Sequence, residues 1–507
     1  MAWYLAAYFQ RHTEHNLTDL PSLDAMPKPI QLTNYIAGTW RPSAGDAWID
    51  DLNPSDARDV VARVPRGTVD DAHAAVHAAA AAQEAWAALP GPTRARHLQR
   101  WSEVVASRAE ELAQAMAREV GKPIGEARGE AARCVVILQY YAGEAVRSMG
   151  DVIPAQVPGA LQFSLREPLG VVALITPWNF PAAIPLWKAA PALAFGNTVV
   201  LKPAEASSYV ATLLAKSAED AELPSGVFNV VLGTGAELGP ALIEAEQVRG
   251  VSFTGSAAVG AGVARSATAR NIRYQTEMGG KNVGIVLADA DIARAAALTA
   301  AGAMRYAGQK CTATSRVIVA REVEAPFMEA IRKQVEGFRI GPVTDPASAV
   351  GPVISERSRD NIRRVLQAAG GEQITPVPLP AGDDFAHGFF AAPTIIRGIA
   401  PDSPAAQEEI FGPVLAWLAA NDLEHALTMA NQTKYGLSAS LFTRDVASAL
   451  TYMRRIDVGL VRVNGDTTGV DPHAPFGGMR GSSSGSREQG PAARDFYTEI
   501  KTVQINP

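Results

Sequence analysis

Gly170-Val171-Val172-Ala173-Leu174-Ile175-Thr176-Pro177-Trp178-Asn179-Phe180-Pro181 is the stretch whose reading decides the fold. It opens as a short apolar run rich in β-branched residues and stops at a proline-bearing turn, the pattern of a strand buried on both faces. The pattern returns in Thr198–Leu201, Val227–Leu232, Val251–Phe253 and Arg273–Gln275, with helical stretches between. Strands alternating with helices predict βαβ units and a parallel sheet covered on both sides. A second alternation starts near Val283, with Val283–Leu287, Arg316–Val319 and Leu415–Leu418 as strands and Ala290–Met304, Glu322–Glu336 and Glu424–Asn431 as helices. The fold class is therefore α/β, with two parallel-sheet domains in sequence. Upstream, Asn34–Trp40 reads as a strand pair and turn, and the Ala-rich Val69–Arg147 as amphipathic helices, its apolar residues spaced three and four apart. Leu161–Arg166 and Asp495–Val503 read as strands outside both cores, of the kind that join a neighbour's sheet edge in a homo-oligomer.

The 507-residue length predicts roughly two to four domains. A content of 47% hydrophobic and 19% charged residues excludes wholesale disorder. Lys plus Arg total 46 against 52 Asp plus Glu, a net charge of -6, so no basic field favours nucleic acid, which is not an expected partner. Cys134 and Cys311 are the only cysteines; no disulfide framework is available and a cytoplasmic location is expected. No apolar run approaches the roughly 18 residues that span a bilayer, so a soluble protein without a membrane partner is expected. Met1–Phe9 is apolar but short and lacks a basic lead-in, unlike a signal peptide. Residues 1–27 form an N-terminal extension, either an amphipathic helix or the product of a start placed ahead of Met26. His73 and His77 stand four apart, but no Cys or carboxylate cluster completes a site, and no metal is predicted. Cys134, in the apolar Ala131–Tyr141, reads as a small buried hydrophobe.

Ligands of doubly wound sheets bind at the carboxyl ends of the strands. Those ends carry Thr176-Pro177-Trp178-Asn179, Lys202-Pro203-Ala204-Glu205, Gly233-Thr234-Gly235 and Thr254-Gly255-Ser256. Each alone reads equally well as a plain turn; their succession on one edge points to a ligand. The G-x-G-x-x-G fingerprint is missing, since Gly233–Gly239 is one residue too long, but Gly255–Gly260 links a strand to a helix start that could hold a pyrophosphate. Cys311 lies in a glycine-bearing loop beside Lys310, a setting that suits a thiolate nucleophile as well as an ordinary loop cysteine. Glu277 ends a strand before Gly279-Gly280, and reads either as a functional acid or as a surface acid before a domain crossover.

Pro177-Trp178-Asn179-Phe180-Pro181, Lys202–Glu205, Phe253–Ser256, Glu277–Lys281, Gly308–Cys311, Glu409-Ile410-Phe411-Gly412-Pro413 and Pro475-Phe476-Gly477-Gly478 together resemble the NAD(P)-dependent aldehyde dehydrogenase superfamily, in order from about Asn34 to Val503. The resemblance implies a Rossmann-like cofactor-binding domain (28–147 and 169–279), a catalytic domain (280–479) and bridging segments (148–168 and 487–507), with a small β hairpin that builds a homodimer or homotetramer. It also implies that Cys311 is the nucleophile, Asn179 with the Cys311 amide the oxyanion hole, and Glu277 the general base, with Lys202 among the catalytic set. Thr176, Pro177, Trp178, Lys202, Glu205, Gly255, Ser256, Glu409 and Phe411 would hold NAD, with NADP a second option. The loops around Cys311 and Gly481–Gly490 resemble the branch that oxidises 2-oxoglutarate semialdehyde (2,5-dioxopentanoate). Arg305, six residues before the cysteine, could pair with a substrate carboxylate or simply close a helix end. The alternatives are a general aliphatic or aromatic aldehyde dehydrogenase, a CoA-acylating relative, disfavoured by Glu277, and a non-catalytic binding or structural relative.

Overall fold

The computed structural model describes residues 28–507. The N-terminal extension 1–27 lies outside the described residues. Five parallel strands form the heart of an eight-stranded sheet: Arg273–Glu277, Val248–Thr254, Val171–Ile175, Thr198–Lys202 and Phe228–Val230, in that spatial order. The chain enters at Val171–Ile175, winds outward to one side, then returns to the other. The order therefore reverses between Val171–Ile175 and Val248–Thr254, and a crevice opens at their carboxyl ends, where Thr176–Asn179 and Gly255-Ser256 lie. Antiparallel strands flank the parallel set. Asn34–Ile36 and Thr39–Arg41 form the expected pair on one side, and Ser483–Gly485 pairs with Gln275–Glu277 on the other.

The second sheet has seven strands, in the order Glu372–Ile374, Thr394–Arg397, Val414–Ala420, Arg316–Ala320, Val283–Val286, Ser438–Phe442 and Leu460–Val463; all but the first run parallel. The central strands of both sheets, such as Val171–Ile175, Thr198–Lys202, Val283–Val286 and Arg316–Ala320, are fully buried. The Ala183–Ala194 helix is apolar apart from Lys188, and every residue in it is buried. A third, antiparallel sheet joins Thr498–Ile505, Leu161–Pro168 and Val152–Ile153. Here the structure corrects the reading of 495–503 as one strand: Ala492–Tyr497 is helical and the strand starts at Thr498. One helical turn lets Ala493, Phe496 and Tyr497 all enter the first core, which an alternating strand would not allow. Among the described residues no helix is long and apolar enough to cross a membrane.

Candidate active site

The Ile292–Met304 helix ends in three successive left-handed residues, Tyr306 (φ 53°), Ala307 (φ 50°) and Gly308 (φ 65°), which turn the chain into Gln309-Lys310-Cys311. Left-handed non-glycine residues cost about 1–3 kcal/mol each and persist only where packing fixes them. Tyr306 is fully buried, with its ring 4.6 Å from the Lys122 ammonium. Gly308 has no substitute, because a Cβ there would stand 2.3 Å from the Gly412 carbonyl oxygen. Gln309 fixes the next step: its Oε1 accepts from Ile354 N at 2.8 Å and its Nε2 donates to Pro352 O at 3.1 Å. The Asn282 amide then donates to the carbonyls of both Cys311 and Ala313 at 2.8 Å. The cysteine loop is thus clamped on both sides.

Asn179 reaches this loop from the first sheet. Its Nδ2 donates to Gln309 O at 3.0 Å, and its own carbonyl accepts from Lys122 Nζ at 2.8 Å. One proton of that side-chain amide is used, leaving the other for an oxyanion at Cys311. Lys122 pairs with the buried Glu130, whose Oε1 takes the N–H groups of Ala182 and Ala183.

Glu277 is buried at the end of its strand; Oε2 accepts from Ser483 Oγ at 2.5 Å, whereas Oε1 has no hydrogen-bond partner among the described residues. Gly477 leaves room for it, since a Cβ there would lie 2.7 Å from that free oxygen. Burial, then the charge of Glu488, holds the Glu277 carboxyl well above the ordinary carboxylate range, and the Ser483 bond offsets part of this. Glu488 in turn pairs with Lys188 and accepts from Ser252 Oγ at 3.1 Å and Trp187 Nε1 at 2.8 Å.

The electrostatic reading of Cys311 needs correction. Lys310 does not lend it a positive neighbourhood, because its ammonium pairs with Glu126 at 2.8 Å. Burial, followed by the charges of Glu409 and Glu277, pushes the thiol up to about 12. In this state the sulfur is a thiol and a proton acceptor is needed to activate it.

The residues expected to hold the cofactor line the crevice. Lys202 Nζ lies 3.7 Å from Glu205 Oε2, and Glu205 Oε1 accepts from Gly235 N at 2.7 Å. Ser256 stands exposed as N-cap of the 13-residue Ala257–Ala269 helix and makes no side-chain capping bond, so hydroxyl and helix start are both open to an anion. Thr176 Oγ1 is buried without a partner among the described residues. Trp178 and Phe411 meet edge-on at 5.6 Å, and Glu409 Oε1 accepts from Gly280 N at 3.1 Å. A Cβ on Gly279 would lie 1.9 Å from the Glu409 carboxylate, so glycine is required there. A diol near Glu205, a diphosphate at Ser256 and a flat ring between Trp178 and the cysteine loop suit these donors, and the set fits a dinucleotide. Arg305 is exposed, with its guanidinium 5.9 Å from the Phe338 ring. Reading the sequence missed Asn282, Gln309 as a clamp, the Lys122–Glu130 pair and Glu488, although Glu488 lies within a stretch singled out for its glycines and serines.

The aldehyde dehydrogenase family model matches residues 40–503. The chain is 44% identical over 479 residues to the alpha-ketoglutaric semialdehyde dehydrogenase of Bacillus subtilis (strain 168), covering 94% of this chain and 98% of that protein. It is 42% identical to the alpha-ketoglutarate semialdehyde dehydrogenase of Haloferax volcanii, covering 93% and 98% of the two chains. The crystal structure of an NAD-dependent aldehyde dehydrogenase from Sinorhizobium meliloti superimposes with a TM-score of 0.90 at 35% identity, covering 94% of this chain and 95% of that one.

Proposed function

The chain belongs to the aldehyde dehydrogenase family, and from that premise we propose that it oxidises 2-oxoglutarate semialdehyde to 2-oxoglutarate with NAD, through Cys311, Asn179 and Glu277. The observation that carries the site assignment is the bond from Asn179 Nδ2 to the carbonyl of Gln309, which joins the first sheet's oxyanion donor to the second sheet's nucleophile loop.

The Cys311 sulfur attacks the carbonyl carbon, its proton passing to solvent, directly or through ionised Glu277, which hands it on to solvent and is left ionised, and the carbonyl electron pair moves onto oxygen. Asn179 Nδ2–H and the Cys311 N–H receive that oxyanion in the thiohemiacetal. The nicotinamide cofactor, when bound, supplies the hydride acceptor that turns the thiohemiacetal into a thioester. Glu277 then takes a proton from water as the water attacks the thioester carbon; the C–S bond breaks, and the acid leaves with Cys311 restored. The free Oε1 of Glu277 is available for that water. A carboxylate at this place favours hydrolytic release over transfer to a thiol carrier.

Lys202 and Glu205 would hold the adenosine ribose, Ser256 and the helix behind it the pyrophosphate, and Glu409, Phe411 and Trp178 the nicotinamide end. Glu205, fixed by Gly235 N–H, accepts from a ribose diol and repels a 2′-phosphate, which favours NAD over NADP. The apolar side chains of Leu161, Leu165, Ile500 and Ile505 are exposed on the third sheet, and this supports assembly into a homodimer or homotetramer. Light scattering that returns the mass of one chain would remove that assembly. The two free cysteines support a cytoplasmic location, and fractionation finding the protein elsewhere would remove it.

The activity is tested by following reduced nicotinamide with NAD or NADP and a panel of 2-oxoglutarate semialdehyde, succinic semialdehyde, glyceraldehyde, aliphatic and aromatic aldehydes, with Cys311→Ala as control. The highest kcat/KM is expected for 2-oxoglutarate semialdehyde with NAD and no turnover for the variant. A preference for uncharged aldehydes would overturn the substrate, and turnover by Cys311→Ala would overturn the mechanism.

A further inference from the structure

The Ile124–Glu144 helix turns one face toward the site, and its residues mark out a line. Glu126 pairs with Lys310, the neighbour of Cys311. Glu130, one turn on, holds the N–H groups of Ala182 and Ala183 just beyond Asn179. Tyr140, nearly three turns further, has its ring 6.4 Å from that of His473, tilted by 57°. His473 belongs to the loop that leaves Leu460–Val463, where Thr467 Oγ1 donates to Thr312 O at 2.7 Å and Phe476 packs on Trp187 at 5.6 Å. That loop thus borders the cysteine at Thr312 and Glu277 at Gly477.

Arg133 sits on this same face, seven residues from Glu126 and seven from Tyr140, hence about 10 Å along the axis from each. It lies between the contact with the cysteine loop and the contact with the bordering loop. Its side chain makes no hydrogen bond or ion pair among the described residues, and its buried Nε has no partner. Burial pulls the guanidinium below its ordinary range, offset by the charge of Asp471. A half-buried arginine without an ion pair among the described residues, on the helix face that also carries Glu126 and Glu130, suits a carboxylate that arrives with the substrate. Arg305 also has no ion pair among the described residues, but it is exposed, and a charge pair in open solvent discriminates little.

We propose that Arg133 is the residue that selects acid-bearing aldehydes, its guanidinium receiving the carboxylate of the substrate while the aldehyde end reaches Cys311. This rests on the substrate class proposed above. The test compares kcat/KM for 2-oxoglutarate semialdehyde and for pentanal, a five-carbon aldehyde without the carboxylate, in the full chain and in Arg133→Met, Arg133→Lys and Arg305→Leu. Inhibition by glutarate is measured in parallel. Arg133→Met is expected to lower the acid-to-neutral ratio at least about 30-fold, through KM, and to weaken glutarate by a similar factor. Arg133→Lys, which keeps the charge but not the fork, should fall between, and Arg305→Leu should keep the ratio within about threefold. A wild type that prefers the acid alongside an Arg133→Met variant that keeps this preference would overturn the role of Arg133 alone. A wild type without the preference would overturn the substrate class and, with it, Arg133. Should the methionine variant fail to fold, an Arg133→Lys variant with the wild-type ratio and wild-type glutarate inhibition would overturn the role.

Discussion

Two walls of the same cleft are equally buried and differently finished. On one, Glu130 has both oxygens engaged, by Lys122 and by two backbone N–H groups, and Lys122 spends its remaining reach on the Asn179 carbonyl. On the other, among the described residues, Glu277 leaves one oxygen without a partner and Lys281 is buried with none, pushed down to about 7 by burial and by Arg316. Buried polar groups normally find partners because an unmade hydrogen bond costs about 1–3 kcal/mol. The closed wall spends its polar groups on holding Asn179 and the turn behind it. The open wall keeps groups whose protonation can change, where the proposed mechanism brings a water to a thioester. Burial alone does not separate framework from chemistry here; satisfaction does.

The comparison breaks most readily at its closed wall. Lys122→Met leaves Glu130 buried and the Asn179 carbonyl without its donor, and should lower stability by about 3–5 kcal/mol, read as a fall in denaturant midpoint. Adding Glu130→Gln, which can still accept from the two backbone N–H groups, should recover part of that loss. A single variant as stable as wild type would mean that the pair holds nothing in place.

The donor that this wall positions comes next. Asn179→Ala should cut kcat by about 10²–10³-fold, equivalent to about 2.7–4 kcal/mol of barrier, with stability little changed. A loss confined to KM would place the side chain in binding instead.

The open wall gives the smallest effect, and it depends on pH. Because the Glu277 carboxyl sits above its ordinary range, the proton is held at pH values where an exposed glutamate has lost it. The base form therefore grows as pH rises, and thioester hydrolysis in single turnover should climb about tenfold per pH unit until the group is ionised, then level. A flat profile from pH 6 to 9 would show that the charge of Glu277 does not change over that range.

The five central strands of the first sheet were legible because buried parallel strands announce themselves as short apolar runs ended by Gly and Pro. The Asp495–Tyr497 turn was not, since one turn of helix carries no period to read. At the site, the Asn179, Glu277 and Cys311 motifs stood out as unusual residues at strand ends and in loops. The surroundings of Cys311 did not: the partner of Lys310 is Glu126, 184 residues away in the chain, so a positive neighbour in sequence turned out to be a neutralised one in space. Arg133 was silent for a related reason, as one of several charges on a long helix gives no sign of which way it faces. Glu488 was hidden in a Gly/Ser-rich stretch that reads as a loop but pairs beside the Glu277 strand.

The central claim is that Cys311 carries the acyl group and Glu277 releases it. It is tested most directly by mixing Glu277→Gln with NAD and 2-oxoglutarate semialdehyde in a stopped-flow instrument, then taking the protein's mass. The predicted result is a burst of about one equivalent of reduced nicotinamide per site, almost no further turnover, and an acyl adduct on the peptide that contains Cys311. Full steady-state turnover by the variant, or a burst with no adduct on Cys311, would contradict the account.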